Sequence, residues 1–569
     1  MEAGRFLLAV VLMIAVVVVT NILLPPVPPP PGTPGVDSLS APPAAPPARP
    51  PRVEPDVPPA AVGQPEAVAQ PATVGPTTDE GIEVDTLFVE SPLFRLGFST
   101  RGGGLASAEL SQYESHSDPG SPVQLVPPET DALVSYRLRV GDRTIDLASL
   151  PVASAAATTL VRAAPDSLRL TYADSASGFG FDLVYRFAPN EYLIDAEVRV
   201  AGLGDATPQL LIDFGPRLPF HEWTPDEDRR ALAYVVNSPQ RGIESLSLSK
   251  VRGQKIENGP LLWAALKNKY FVVALLRSTG QPTPFGGLVA DSVGQDAATL
   301  TATLDPSADG TFRYRIYLGP QQYERLAAVG DRFTDVNPVG WKFLRPVMQP
   351  IAFGITWLIT RMHDAFNLAY GWVLILFGVL VRVVLWPLNT KAMRSQMKNM
   401  ELQPRIKELQ TKYKSDPERM NKEMMRLYKE EGFNPFGGCL PLLIPMPVLI
   451  ALFFVFQATI EFRGVPFLWL PDLSRADPLY IIPVLMGLSM FGLQWFSLRS
   501  TPDPTPQMKM MMWLMPGMMT VLFLNFASGL NLYYTAMNVA SLPQQMYLVK
   551  ERRKFQARGR TKEVAAARG

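Results

Sequence analysis

The sequence has few of the side chains that most often carry chemistry. One cysteine, Cys439, and three histidines occur in 569 residues. A single cysteine excludes an internal disulfide framework and a multi-cysteine metal site. Three scattered histidines leave little material for histidine-based catalysis, and no clear carboxylate pair accompanies them. These shortages argue against an enzyme that relies on such groups, and we identify no catalytic residue, metal site or cofactor in the sequence.

Charge is scarce as well, and it is unevenly distributed. Charged residues make up 18% of the chain and hydrophobic residues 47%, a composition that is apolar for a soluble protein. The net charge of +1 conceals two basic segments. Residues 389–431 carry eleven lysines and arginines, and the tail from Lys550 to Arg568 carries eight more. Because cytoplasmic segments of membrane proteins are enriched in positive charge, we predict that both segments lie in the cytoplasm.

Two segments without a globular pattern begin the chain. Residues 1–24 have one positive residue, Arg5, followed by an apolar run from Phe6 to Leu24. A cleaved signal peptide and a retained anchor are the two alternatives. No A-x-A-like site precedes the proline-rich tract, so we favour an uncleaved transmembrane anchor with its N-terminus in the cytoplasm. Residues 25–80 are rich in proline and alanine, which predicts a disordered tether.

Between residues 81 and 320, short runs of alternating apolar and polar residues indicate β-strands. The clearest runs start near Phe94 and end near Leu318, and turns rich in Gly, Asp and Pro separate them. This pattern predicts a large antiparallel β-sandwich, and its position after the anchor predicts that it lies outside the cytoplasm. His221-Glu222 is the one pair there that resembles a catalytic group, and we expect it in a surface loop.

From residue 321 the patterns become helical and apolar. Residues 321–368 predict a short linker helix and then an amphipathic helix along the outer membrane interface. Residues 369–549 predict five membrane-spanning helices with a cytoplasmic helical hairpin at 390–432, and residues 550–569 predict a basic cytoplasmic tail. The apolar segments are Tyr370–Leu388, Phe436–Ile460, Tyr480–Leu498, Met510–Phe526 and Leu530–Leu548. With the anchor they make six spans, so both termini are expected in the cytoplasm.

One residue does not belong in the first of these segments. Arg382 lies twelve positions after Tyr370, about 18 Å along a helix. An arginine at this depth costs about 2.5–3.5 kcal/mol on insertion scales. The other four apolar segments contain no Asp or Glu that could neutralise it. We therefore predict a water-filled cavity that faces Arg382.

The basic segment at 390–432 has the pattern of two helices. Methionines from Met393 to Met400 follow helical spacing, and the run Ser415-Asp416-Pro417-Glu418 is typical of a helix start. A solvated loop is the plain alternative, but we favour a docking surface. Its candidate residues are Arg405, Lys407, Lys412, Lys414, Arg419 and Lys422.

Four stretches resemble the YidC/Oxa/Alb family of membrane-protein insertases in its Gram-negative bacterial form. They are VRVVLWPL (381–388), ELQPRIKELQ (401–410), MMRLYKEEGFNPFGGCLPLLIPMPVLIALFF (424–454) and SGLNLYYTAMNVASLPQQ (528–545). Because these motifs occur in the family's order, the resemblance covers about residues 341–550. The β part matches only in position and general pattern. The resemblance implies a bacterial inner-membrane protein with a five-helix insertase core and a periplasmic β-supersandwich.

The resemblance also implies an insertase and chaperone for nascent inner-membrane proteins, and not an enzyme. Its core helices would enclose a hydrophilic groove, open to the cytoplasm, in which Arg382 corresponds to the family's arginine. Gly378 stands where some relatives carry a hydroxyl residue, so the groove is expected to be less polar there. The further groove candidates are Gln457, Gln494, Tyr533 and Tyr534, for which helix-to-helix hydrogen bonding is the alternative role.

The implied partners follow from the same resemblance. They are nascent membrane proteins, the Sec translocon, the ribosome, the signal recognition particle receptor and membrane lipids. No nucleic-acid substrate and no cofactor are expected. The insertase could act alone or with the translocon.

Two other functions remain compatible with the residues. A channel or transporter could use Arg382 as an anion site, although no inverted repeat is detectable. A membrane-tethered carbohydrate-binding or mutarotase-like protein could use the β-sandwich, although the residues of a catalytic centre are scarce. Crosslinking to a nascent membrane protein would separate an insertase from both.

Overall fold

The structure is a computed structural model. It describes residues 86–154, 158–161, 164–204, 206–279, 284–338, 345–413, 416–430, 446–499 and 506–566. The anchor predicted at 1–24, the tether predicted at 25–80 and Cys439 lie outside these residues. So do Lys414 and the side chain of Lys407.

Strands make up most of the described chain before residue 321. They are β1 (Thr86–Glu90), β2 (Phe94–Ser99), β3 (Leu105–Glu114), β4 (Pro122–Gln124), β5 (Val134–Val140), β6 (Arg143–Asp146), β7 (Thr158–Leu160), β8 (Asp166–Ala173), β9 (Gly180–Phe187), β10 (Leu193–Ala201), β11 (Gln209–Phe214), β12 (Ala233–Ser238), β13 (Gly242–Ser247), β14 (Gln254–Leu261), β15 (Trp263–Lys267), β16 (Phe271–Arg277), β17 (Phe285–Gly294), β18 (Ala297–Leu304) and β19 (Thr311–Pro320). A short helix, α1 (Pro225–Ala231), lies between β11 and β12.

These strands form two sheets. The eleven-stranded sheet has the order β14-β17-β18-β11-β5-β3-β2-β1-β7, with β4 beside β3 and β6 beside β5. The eight-stranded sheet has the order β13-β12-β15-β16-β19-β10-β9-β8. Their apolar faces share one core, in which alternate residues of β9, from Phe181 to Phe187, are buried as the sequence pattern predicts.

Three tyrosine hydroxyls meet in the interior between the sheets. The hydroxyl of Tyr136 on β5 lies 2.6 Å from that of Tyr185 on β9 and 2.8 Å from that of Tyr314 on β19. Tyr185 also donates to the carbonyl of Gly103 at 3.1 Å. Burial raises the pKa of Tyr136 to about 12, so its hydroxyl keeps its proton for hydrogen bonding at neutral pH. The polar ends of these large side chains are thus satisfied inside the core.

Two expectations about the β part are wrong. The sandwich is not wholly antiparallel, because β7 pairs with β1 in parallel. Five strands separate the two in sequence, and this long connection allows a parallel return. His221 and Glu222 do not lie in a surface loop, because they are only 6% and 2% exposed. Contacts from the helical part of the chain cover them, as described below.

Helices make up most of the described chain after residue 320. They are α2 (Tyr323–Val329), α3 (Arg345–Phe366), α4 (Tyr370–Lys412), α5 (Pro417–Glu430), α6 (Met446–Ala458), α7 (Ile481–Arg499), α8 (Pro506–Phe523) and α9 (Ser528–Ala566). α9 packs against α4 and α7, α8 packs against α7, and α3 packs against α6. α4 continues without interruption from the predicted span into the predicted hairpin, because the lysines, methionines and glutamines after Leu388 favour helix.

Two of the described helices are long and apolar enough to cross a membrane. They comprise Tyr370–Thr390 of α4 and Ile481–Arg499, which is the whole of α7. Shorter apolar helical stretches occupy Val448–Gln457 in α6 and Met512–Phe523 in α8. Of the span predicted at 436–460, the structure describes only the part from Met446 onward.

The helix α3 has the two faces that an interfacial helix requires. Met348, Ala352 and Ile359 on one face are buried. On the other face, Val347 is 57% exposed and Trp357 is 50% exposed. Pro350 lies within the helix. This distribution supports a helix that packs on the core through one side and presents apolar groups on the other.

Candidate functional site

Arg382 lies on the side of α4 that meets α9. Gly378, one turn earlier, contacts α9, and one turn later the carbonyl of Trp386 accepts a hydrogen bond from Gln544 Nε2 at 3.1 Å. Because residues four apart share a helix face, Arg382 lies between these two contacts. Its side chain is half-buried, and its Nε is buried with no hydrogen-bond acceptor among the described atoms. The Nε donor of this guanidinium therefore has no partner among the residues that the structure describes at this face.

Gly378 permits the close approach of α4 and α9. A Cβ at this position would lie 3.1 Å from the carbonyl oxygen of Tyr533 and 3.3 Å from the Cβ of Ala536. Both distances are tighter than ordinary contacts, so a serine here would require the helices to move apart by a few tenths of an ångström. Close packing of α4 against α9 therefore explains the glycine at position 378, and the sequence alone did not reveal this contact.

The other predicted groove residues occupy different environments. Tyr533 is 1% exposed, and its hydroxyl donates to the sulfur of Met537 at 3.4 Å. Tyr534 is half-buried, with its ring 5.5 Å from that of Phe523 on α8. Gln457 is exposed near the end of α6, and Gln494 on α7 is half-buried. The structure brings Gly378 and Tyr533 together, and it gives no contact that joins Gln457 or Gln494 to them.

Polar residues of α9 that the sequence reasoning missed connect the helices. Asn538 Nδ2 donates to Ser489 Oγ on α7 at 3.0 Å, and Gln544 Nε2 donates to Thr390 Oγ1 on α4 at 3.1 Å. Gln544 is fully buried, and its Oε1 has no partner among the described residues. A signal was available, because Asn531 and Asn538 are seven residues apart and therefore share a helix face.

The predicted docking hairpin consists of the C-terminal part of α4 and the whole of α5. Asp416 caps α5, because its Oδ1 accepts a hydrogen bond from the backbone N–H of Arg419 at 3.0 Å, and Pro417 is the first helical residue. The basic side chains that the structure describes here are exposed; they are Arg405, Lys412, Arg419 and Lys422. The Lys412 ammonium and the Arg419 guanidinium lie 5.5 and 5.7 Å from the centre of the Tyr413 ring.

A buried ion pair joins the β-sandwich to the loop between α6 and α7, which we call the outer loop (residues 461–480). Arg463 Nε donates to Glu222 Oε1 at 2.7 Å, and Arg463 Nη1 donates to the carbonyl of Glu114 at 2.9 Å. Both side chains of the pair are less than 5% exposed. The Arg463 guanidinium also lies 5.9 and 5.6 Å from the ring centres of Tyr270 and Phe271. The contact fixes the β-sandwich to the helical part.

The carboxyl groups at this junction have opposite pKa shifts. Burial alone would raise the pKa of Glu222, but His116 and Arg463 outweigh it and hold that pKa at about 2. Burial and then the charge of Glu222 raise the pKa of Asp228 to about 6. Asp228 Oδ2 accepts hydrogen bonds from the backbone N–H groups of His221 at 2.7 Å and Glu222 at 3.1 Å. Asp228 therefore shapes the loop that carries Glu222.

A small cavity of about 40 Å³ lies beside the junction, where α2, α3 and the end of α6 meet. Gln321, Thr356, Thr459 and Glu461 are among its lining residues. Burial raises the pKa of Glu461 to about 7. The cavity is large enough for ordered water, which such polar walls would bind.

These features define a class of protein. A bundle of apolar helices with exposed apolar side chains carries an arginine, Arg382, within a helix long and apolar enough to cross a membrane, and a large β-sandwich is fixed to one of its loops. No group of three or more His, Cys, Asp or Glu residues that could hold a metal ion occurs among the described residues. The class is a membrane-embedded helical protein with an extramembrane β-sandwich.

Comparison with known proteins gives the family. The family model described as 60Kd inner membrane protein matches residues 361–556, and the one described as YidC periplasmic domain matches residues 86–353. The membrane protein insertase YidC of Syntrophus aciditrophicus is 30% identical over 504 residues, which are 85% of this chain and 89% of that one. The YidC of Chlorobium phaeovibrioides is 33% identical over 81% of this chain and 83% of that one. The chain belongs to the YidC family of membrane protein insertases.

Solved structures of insertases are similar to this chain at low sequence identity. An active YidC insertase with its first transmembrane domain resolved has a TM-score of 0.34 at 17% identity, covering 82% of this chain and 94% of that one. YidC from Thermotoga maritima has a TM-score of 0.28 at 14% identity, covering 81% of this chain and 99% of that one.

Family membership identifies the activity. The protein is a membrane protein insertase and not an enzyme, and it acts on nascent membrane proteins. It is an inner-membrane protein whose β-sandwich is the periplasmic domain. The transporter and carbohydrate-binding alternatives are set aside, because the relatives that match both parts of the chain are insertases.

Proposed function

We propose that this insertase works through a hydrophilic groove, open to the cytoplasm, in which Arg382 receives polar or acidic segments of its clients. The observation that carries the proposal is the buried Nε of Arg382, which has no acceptor among the described residues. A buried charged donor without a partner is costly, so water or a client carboxylate would supply the missing acceptor.

The physical basis is a difference in solvation. Moving a charged segment of a client through hydrocarbon is costly, and a wet, positively charged groove lowers that cost over part of the distance. The client's apolar segment would then leave sideways into lipid. The membrane potential contributes about 2.3 kcal/mol per elementary charge per 100 mV.

The remaining groove candidates have separate proposed roles. Gly378 would set the spacing of α4 and α9 behind the arginine, as the tight contact with the Tyr533 carbonyl supports. Tyr534 and Gln494, both half-buried, would offer contacts to clients. Gln457 would act near the outer end of the groove, since it is exposed close to the end of α6. Tyr533 would support the wall, because its side chain is buried against Phe377 and Met537.

We further propose six membrane spans, with both termini in the cytoplasm. Two described helices have the length and composition of a span, and the short apolar helices α6 and α8 together with α9 would supply three more. The anchor at 1–24 would be the sixth. The proposed domains are the β-sandwich at 81–320, the linker and interfacial helices at 321–368, the core at 369–549 and the basic tail at 550–569, with a tether at 25–80.

The hairpin at 390–432 is proposed as the docking site for cytoplasmic partners. Its described basic side chains are exposed. They belong to α4, which continues from the predicted span, and to α5, which Asp416 caps, and these two helices support a surface of fixed shape. Ribosomes and the signal recognition particle receptor are the proposed partners on this side, and the Sec translocon is a proposed partner within the membrane.

The central test measures insertion of two matched clients into reconstituted vesicles. One client has an acidic translocated tail and the other a neutral tail. We expect Arg382→Ala to lower insertion of the acidic client about five- to tenfold, the equivalent of roughly 1–1.4 kcal/mol, and to affect the neutral client less. Arg499→Ala is the matched control, since it removes one arginine from the end of α7. Equal insertion of both clients by the Arg382 variant would contradict the proposed role.

Three further measurements test the groove and the hairpin. A stalled nascent membrane protein should crosslink to photoreactive residues at positions 382, 494 and 534, and a cysteine at 382 in a Cys439→Ala background should react with membrane-impermeant thiol reagents supplied from the cytoplasmic side. An unreactive cysteine in an active protein would exclude the groove.

Glutamine at Arg405, Lys412, Arg419 and Lys422 should weaken ribosome binding, whereas exchange of the lysines for arginine should not.

A further inference from the structure

The outer loop lies on the periplasmic side of the membrane and at its surface. It contacts the periplasmic β-sandwich through the Arg463–Glu222 ion pair and leads directly into α7, one of the two described helices that are long and apolar enough to cross a membrane. Several of its apolar side chains are exposed: Leu468 (69%), Trp469 (37%), Leu479 (60%) and Tyr480 (51%). Exposed aromatic and apolar residues at the end of a spanning helix are typical of the headgroup region.

The β-sandwich contributes one tryptophan to this surface. Trp223 follows Glu222, which the ion pair fixes to the outer loop, and 43% of Trp223 is exposed. His116 stacks on Trp223 with ring centres 4.9 Å apart. The guanidinium of Arg475, from the outer loop, lies 4.5 Å from the centre of the Trp223 ring. Trp223 from the β-sandwich and Arg475 from the outer loop are thus in contact.

The two acidic residues nearest in sequence to Arg475 are buried and accept hydrogen bonds from other groups. Asp472 is 2% exposed, and its Oδ1 accepts hydrogen bonds from the backbone N–H and the hydroxyl of Ser474, both at 2.8 Å. Asp477 is fully buried, and it accepts hydrogen bonds from the backbone N–H groups of Leu479 at 2.9 Å and Ile482 at 2.7 Å. Among the described residues, Arg475 has no carboxylate within ion-pair distance.

We propose that Arg475 and Trp223 form a binding site for the phosphate of a phospholipid headgroup in the periplasmic leaflet. The Trp223 ring covers one face of the guanidinium and holds it in place, while the N–H groups at its edge are free to donate to phosphate oxygens. The exposed Leu468 and Trp469 of the same outer loop would contact the upper acyl chains. Exposed apolar side chains on a loop that leads into a spanning helix favour a lipid over an acidic peptide as the occupant. The site would hold the β-sandwich at a set height on the membrane.

Native mass spectrometry of the full chain tests the proposal. Protein reconstituted in phosphatidylglycerol nanodiscs and then delipidated should retain one phospholipid more than Arg475→Gln or Trp223→Ala does. In nanodiscs made of a phosphate-free glycolipid, wild type and variants should retain equal numbers. Arg169→Gln, on β8 with its side chain 63% exposed, is the matched control and should behave as wild type. Equal phospholipid retention by wild type and Arg475→Gln would overturn the proposal.

Photocrosslinking identifies the occupant independently of the arginine substitution. Benzoylphenylalanine in place of Trp223, in native membranes, should form an adduct with the mass of a phospholipid. The same residue in place of Leu468 is the positive control for lipid contact. An adduct with a polypeptide at position 223, or none while position 468 is labelled by lipid, would overturn the proposal.

Discussion

The β-sandwich buries its apolar side chains in an interior core, whereas the helical part exposes many of its apolar side chains on the outer surface. In the β-sandwich, large apolar residues face a shared core, and only Leu160, Trp223, Ile256 and Val293 of its described residues are strongly exposed. In the helical part, exposed apolar residues are frequent, among them Val383 at 59% and Val384 at 65%, which directly follow Arg382. The first part is stabilised by its own interior, whereas the second requires lipid for that role.

Unpartnered polar groups occur in both parts, but they differ in charge. The hydroxyls of Tyr136, Tyr185 and Tyr314 donate and accept within the β-sandwich, whereas the buried hydroxyl of Tyr192 has no partner among the described residues. In the helical part, the buried Nε of Arg382 and Oε1 of Gln544 have no partner among the described residues. A buried guanidinium is far more costly than a neutral hydroxyl, and we expect it in an insertase that receives water and client residues.

The largest effect is expected from the β-sandwich core. Trp263 is fully buried on β15, so Trp263→Ala should lower the free energy of unfolding of this domain by about 3–5 kcal/mol. Trp513 on α8 is 67% exposed, and Trp513→Ala should leave the thermal midpoint in lipid nanodiscs nearly unchanged. Differential scanning calorimetry of both variants checks the comparison. Comparable destabilisation by the two would remove the contrast between the parts.

The next effect is expected at the junction. Arg463→Met leaves Glu222 buried without its ion-pair partner, a loss that costs roughly 3–5 kcal/mol in buried pairs. Because the junction can admit water once it loosens, we expect about 3 kcal/mol. The double variant Arg463→Met, Glu222→Gln should recover part of it. A double-mutant cycle of unfolding free energies measures the coupling, and a coupling near zero would mean that the pair does not hold the two parts together.

A smaller effect is expected for the tyrosine cluster. Tyr136→Phe removes the hydroxyl that lies between Tyr185 and Tyr314 and leaves both with one partner fewer. We expect a loss of about 1–2 kcal/mol in unfolding free energy, measured by denaturant titration of tyrosine and tryptophan fluorescence. Tyr172→Phe, at a half-buried position, serves as the control and should cost less.

The pH dependence of the β-sandwich should reveal Asp228. Its pKa, raised to about 6 by burial and by Glu222, means that its ionised form is disfavoured in the folded state. The stabilising contribution is therefore complete below the ordinary Asp value of 3.8 and is lost as the pH rises through about 6. We expect Asp228 to contribute about 1 kcal/mol more stability at pH 5 than at pH 7.5, whereas the lowered pKa of the buried His221 acts in the opposite direction. Glu222, with a pKa of about 2, stays ionised throughout. Asp228→Asn should therefore lower the stability at pH 5 relative to that at pH 7.5, compared with wild type, and an unchanged pH dependence of the thermal midpoint would assign the effect to another group.

The smallest effect is expected on insertion when the β-sandwich is deleted. A deletion that ended at residue 307 would leave β19, whose Phe312, Tyr314 and Ile316 are buried in the core. A deletion of residues 86–320 removes the whole sandwich. Combined with Arg463→Gln, which removes the guanidinium left without Glu222, it should retain insertion activity within about twofold. A stable, correctly targeted deletion that fails to insert clients would show that the two parts cooperate.

The sequence by itself determined the type of each part. Alternation with period two identified strands such as β9, because buried and exposed sides alternate along a strand. The length of the apolar run from Tyr370 identified a helix able to span a membrane. The depth of Arg382 in that run identified the central candidate residue, since the cost of a charge in hydrocarbon depends mainly on depth.

Only the tertiary structure decided what lies beside what. It paired Glu222 with Arg463, which are far apart in sequence, and so moved His221 and Glu222 from an expected surface loop to a buried junction. It also gave Gly378 its role against the Tyr533 carbonyl. Neither relation has a local signature, because periodicity reports which side of an element is apolar but not which distant element covers it.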